Sequence, residues 1–166
     1  ENYDRPEIAA EELPADAYRD DVAANLAVAE RWVTEHSDTE FDFFLPPYSI
    51  LFWDKVIREG RTEAVFAAIR QAGQTLLQYD NVKFYGYLMD PEIVTNLDNY
   101  CDYIHHSGGV CREILAMLQR EEGRLTEENL EETLANWREF VVHYDYDQFW
   151  DERFWIQWNA EHAAAP

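Results

Sequence analysis

Apolar residues recur every three or four positions through most of this chain and alternate only briefly, a pattern that predicts many helices and few strands. Residues 1–13 are polar, acidic and aperiodic, and read as an extended arm. From Pro14 onward, Tyr18, Val22, Leu26, Ala29, Trp32 and Val33 share one helical face, with Asp20, Asp21, Glu30 and Arg31 turned outward, so an amphipathic helix should run to about His36. The polar residues 37–40 then turn the chain into a short aromatic run, residues 41–45, closed by Pro46 and Pro47; it reads as a buried strand. Residues 48–58 read as a helix stopped by Gly60, and Thr62 opens another through about Tyr79, with Val65, Ala68, Ile69, Leu76 and Leu77 as its apolar side.

Residues 82–88 alternate well enough for a second strand, and a strand, two helices and a strand make a right-handed crossover between parallel neighbours. Asp90 and Pro91 supply an N-cap and a first-turn proline for a short helix to about Leu97. Ser107 caps a predicted helix over 108–122 that turns Val110, Ile114, Leu115 and Leu118 to the sheet, and Gly123 ends it. Thr126 caps a helix from Glu127 to about His143 with Leu130, Leu134, Trp137, Phe140 and Val141 inward. The stretch from Tyr144 to Trp158 carries seven aromatic rings among acids and reads as a helix or a strap across the body. About six helices accompany two strands that are too apolar to stand alone, since parallel sheets are normally covered on both faces and contain more strands. The expectation is therefore a sheet completed by an upstream segment or by a second polypeptide.

Composition narrows the partners. With 166 residues, 47% hydrophobic and 15% aromatic, the chain can bury a core in one domain despite its charge. Thirty-four acidic against thirteen basic residues give a net charge of -21, which argues against nucleic acid, because that partner needs a basic face. No apolar run approaches a membrane span, and no signal-peptide pattern is present. Cys101 and Cys111 fit either a disulfide beside the loop that precedes the 108–122 helix or two reduced thiols.

Candidate chemistry concentrates in residues 96–115, where ionisable groups, glycines and both cysteines meet a helix start. Asp102 and His105 are three apart, so both side chains can enter one cleft as the orienting carboxylate and general base of an acyl-transfer triad. Ser49 follows a strand and opens a helix, a position where backbone N–H groups favour a nucleophile and its oxyanion, though an ordinary first-turn serine is the better reading. Pro46, Pro47 and Tyr48 stand where pocket mouths lie in open sheets, beyond the carboxyl end of a strand. Ser107 is too near His105 in sequence to serve it and is better read as a helix cap. Cys101, Asp102, His105, His106 and Cys111 offer zinc-compatible ligand types, but their spacing matches no closed metal site, so neither metal nor cofactor is expected.

The run Asp102-Tyr-Ile-His105 ahead of a helix resembles the last sequence block of the SGNH (GDSL-type) hydrolases. Residues 43–53 and 93–106 resemble the late strand and catalytic loop of a bacterial, membrane-anchored branch of that family, and the resemblance covers about residues 15–148. It implies an α/β, flavodoxin-like three-layer fold with parallel strands and a helix-rich C-terminal part. On this reading residues 14–148 are the C-terminal portion of a hydrolase domain and 149–166 an aromatic extension. Asp102 and His105 would be catalytic, with Pro46, Tyr48 and Ser49 beside an acyl-ester substrate, a glycan-borne ester among the candidates. The location implied is the bacterial cell envelope or another extracytoplasmic compartment, with the cytoplasm as the alternative. The family's Gly-Asp-Ser, Gly and Asn blocks are absent, so the nucleophile would lie outside this chain. The alternative, from a different class, is a non-catalytic acidic binding or assembly module.

Overall fold

The structure, a computed structural model, describes residues 3–162. It is a helix-rich α/β fold in which helices cover a small sheet with a parallel pair at its heart. Helix α1 spans Arg19–Glu35, strand β1 Phe41–Phe44, helix α2 Ile50–Arg58, helix α3 Thr62–Leu76 and strand β2 Val82–Tyr85. A 3-10 turn at Tyr87–Met89 leads into the short helix α4, Pro91–Val94, whose N-cap Asp90 accepts the backbone N–H groups of Glu92 and Ile93 as its sequence suggested. Helix α5, Gly108–Gln119, is capped by Ser107, which accepts the Val110 N–H. Strand β3, Arg124–Leu125, precedes helix α6, Leu130–His143; a 3-10 segment, Tyr146–Trp150, and helix α7, Glu152–His162, follow.

Strand β1 runs parallel to β2, with Phe41 beside Val82 and Phe44 beside Tyr85. Two helices between them make the connection long enough to return in the same direction. Strand β3 adds an antiparallel edge to β2 that the sequence reading missed; two residues between a glycine turn and a cap carry no periodicity. The side chains of β2 serve two cores. Val82 and Phe84 pack into the main one with Val33, Trp53, Phe66, Leu134, Trp137 and Val141 from the helices on that face. Tyr85 joins Val110, Ile114 and Met117 of α5 on the other. Helix α5 uses Met117 for this contact, while Leu115, expected to face the sheet, is exposed.

Two further elements departed from expectation. In α1 only Val33 is fully buried, and Trp32 is half exposed. In α3 the buried side is Phe66, Ile69, Gly73 and Leu76, and Gly73 lets Leu130 of α6 approach so closely that a Cβ there would lie 2.8 Å from it. The N-terminal arm is not loose. The Ala9 and Leu13 N–H groups donate to the Arg58 and Gly60 carbonyls at 2.7 Å, which fastens it along the end of α2. No helix of the described residues is long and apolar enough to cross a membrane.

Candidate functional site

The Asp102/His105 loop is a tight reversal. The Cys101 N–H donates to the His105 carbonyl at 2.8 Å, the Ser107 N–H to the Asn99 carbonyl at 2.7 Å, and Tyr100 pairs with His106. Asp102 closes the turn from inside: its Oδ1 accepts the N–H groups of Ile104 at 2.9 Å and His105 at 2.7 Å, and its Oδ2 lies 2.6 Å from His105 Nδ1. These bonds, the Ile104 N–H first and the imidazole next, hold the Asp102 carboxyl down at about 2. The pair does meet, as its spacing suggested, but it is a local turn clasp. The His105 side chain is 73% exposed, and the two nearest serines in sequence are committed elsewhere.

Ser49 is fully buried, and its Oγ donates to the Tyr103 carbonyl at 2.8 Å, with its N–H on the same oxygen at 3.1 Å. Ser107 Oγ accepts the Val110 N–H of its own helix. Ser49 thus anchors the loop to the start of α2, and Tyr100 does the same by donating its hydroxyl to the Pro47 carbonyl at 2.9 Å. Burial pushes the Tyr100 phenol well above its ordinary range. Tyr48 packs on Phe52, its ring centroid 5.0 Å away. Cys101 and Cys111 are both free and exposed, and Cys111 Sγ lies 3.6 Å from His106 Nδ1.

What the loop builds is a wall. A cavity of about 590 Å³ opens between the arm, this loop and the C-terminal segment. Its aromatic lining is Tyr3, Tyr100, Tyr103, Phe149, Trp150 and Trp155; Asp4, Asp98 and Asp102 supply its carboxylates, and Ser49 and Cys101 complete its polar edge. Asp102 and Ser49 therefore share one site, while Pro46, Tyr48 and His105 are not among its lining residues.

The arm is locked into this wall by Asp54, an acid only 2% exposed on α2. Arg5 meets it with two bonds, Nε to Oδ2 at 2.9 Å and Nη2 to Oδ1 at 3.0 Å, and Tyr3 donates its hydroxyl to Oδ2 at 2.9 Å. The Arg5 guanidinium also reaches Asp147 at 2.7 Å and lies 4.2 Å from the Trp150 ring centroid. Burial and the adjacent Asp54 charge push the Tyr3 phenol far up. None of Tyr3, Arg5, Asp54, Trp150 or Trp155 was singled out as a site residue from the sequence. Asp54 left a signal as an acid four residues from Ile50 and next to Trp53 on the buried face of α2, and Trp150 and Trp155 left one as part of the aromatic stretch from Tyr144 to Trp158, where core packing is the default reading.

No protein-family profile and no solved structure matches the chain. Among curated proteins it is similar to UPF0735 ACT domain-containing proteins of Lacticaseibacillus casei (strain BL23) and Lacticaseibacillus paracasei (strain ATCC 334), each 24% identical over 90 residues. The match covers 54% of this chain and 62% of each relative, so the chain spans less than two thirds of their length. These relatives correct the resemblance to SGNH hydrolases: neither is named a hydrolase, esterase or acyltransferase, and a four-residue Asp-x-x-His spacing is satisfied here by a turn.

Proposed function

We propose that this chain is a non-catalytic binding module whose ligand occupies the aromatic cavity. The observation that carries the reading is that three segments distant in sequence converge on one cavity, with half-buried Arg5 paired to buried Asp54 and fixing the arm as one of its walls. Its volume falls within the ~300–1,000 Å³ typical of small-molecule sites, and its lining sets aromatic rings beside polar groups that can orient a ligand. A second support is negative for catalysis: Asp102 and Ser49, the residues best placed for acyl transfer, already spend their hydrogen bonds on the loop backbone. The relatives' name, which describes an ACT domain, agrees with a module better than with a hydrolase. The arm, the body over residues 14–148 and the aromatic extension work as one unit in this reading.

The test is amide chemical-shift mapping with a library of small organic fragments. Binders are expected to shift residues 98–103 and 149–155 together with the arm. Binders that cluster elsewhere, or a library without binders, would overturn the reading.

A further inference from the structure

We propose that the ligand of this cavity is an organic cation, an ammonium or guanidinium group carried on an apolar or aromatic body; this rests on the binding-module reading above. Hydrogen bonding, ring electrostatics and charge converge on it independently.

Four of the hydroxyl and indole donors around the cavity are turned inward. Tyr3 gives its proton to Asp54, Tyr100 to the Pro47 carbonyl, Ser49 to the Tyr103 carbonyl, and the Trp155 indole N–H goes to the Phe149 carbonyl at 2.8 Å. What the three hydroxyls leave toward a guest is oxygen lone pairs, and Asp4 adds an exposed carboxylate, while Asp98 accepts the Trp158 indole N–H at 3.3 Å and Asp102 is closed on its own turn. A ligand hydrogen-bonded by these groups must bring the donors itself.

Ring electrostatics agree. The protein already sets two of its own cations against walls of this cavity, Arg5 at 4.2 Å from the Trp150 centroid and Lys55 Nζ at 5.2 Å from that of Tyr103. Neither cancels the cavity's charge, since Arg5 is matched by Asp54 and Asp147, and Lys55 has Glu59 at 3.9 Å. Among the described lining residues there are three carboxylates and no Lys, Arg or His. An anion would face those carboxylates, the negative faces of the rings and a chain of net charge -21. A neutral guest of the same shape would leave the exposed Asp4 carboxylate without a counter-charge.

The experiment titrates the full chain with four probes of one size by amide chemical shifts: benzylammonium, benzyltrimethylammonium, benzyl alcohol and benzoate. Benzylammonium is expected to bind at residues 98–103 and 149–155 about tenfold or more tightly than the alcohol or benzoate, and to weaken with added salt. Benzyltrimethylammonium should fall between, keeping the ring attraction but lacking N–H donors. Asp4→Asn, at an exposed side chain, should lower benzylammonium affinity severalfold without unfolding the protein, separating charge from packing. Equal or tighter binding of the alcohol or benzoate at the same residues would overturn the cationic ligand and leave the module standing. Silence from all four probes while library fragments still bind at the cavity would do the same. Silence from the library too would overturn both.

Discussion

Asp102 shows how one carboxylate can look catalytic and be architectural. Its oxygens are shared among two backbone N–H groups and one imidazole within three residues, which is what an aspartate at the head of a turn does. Its carboxyl titrates at about 2 in the folded chain, below the ordinary value of 3.8. Since the folded value is the lower one, its support for the turn is complete above the ordinary carboxyl range and is lost as pH falls from about 4 toward 2. Protection of the Ile104 and His105 amides, relative to their intrinsic exchange rates, should therefore fall across that window and in Asp102→Ala at neutral pH; protection independent of both would contradict the clasp. Asp54 is the opposite case, a buried charge whose partners come from 49 and 51 residues away. Removing Arg5 alone strands that charge, so Arg5→Met should cost about 3 kcal/mol in chemical unfolding. The double variant Arg5→Met with Asp54→Leu should recover much of that loss, because two well-packed apolar side chains need no counter-charge.

The elements follow the same division between local and distant causes. Helix α6 was legible residue by residue, because Leu130, Leu134, Trp137 and Val141 keep a helical period and all are buried. The parallel strands were legible for a similar reason, as short aromatic runs bounded by turns. In α1 the apolar face is wider than what covers it, so the period named the helix but not which of its residues are inside. The arm has no period at all. Its order comes from the α2 end it lies on, where Gly60 sits at φ +64°, a left-handed conformation, and a Cβ would come within 2.6 Å of the Glu11 carbonyl oxygen. Gly60→Ala should then cost about 1–2 kcal/mol and release the arm, seen as lost protection of the Ala9 and Leu13 amides. A variant as stable as the parent, with the arm still protected, would contradict that coupling.

Across the whole molecule, the cavity exists because three stretches far apart in sequence meet over one end of α2. Residues 3–5 are held by Asp54, residues 97–103 by Ser49 and the Pro47 carbonyl, and residues 149–155 by a run of ring contacts in which Phe149, Phe154 and Trp155 stack edge to face at 5.1 Å. No linear pattern encodes such a convergence, which is why the Asp-x-x-His spacing stood out in the sequence and the aromatic cavity did not. Two of the cavity's lining residues could be read in advance, Asp102 and Ser49, by position though not by role, and its aromatic walls looked like core. The measurement that separates the two readings most directly is the affinity of the tightest cavity binder for His105→Ala and Trp155→Ala, side by side with the parent chain. Binding within about twofold of the parent in His105→Ala, with a loss of about tenfold or more in Trp155→Ala, is the expected result. Loss in His105→Ala with full affinity in Trp155→Ala would return the function to the Asp102/His105 pair and contradict the cavity.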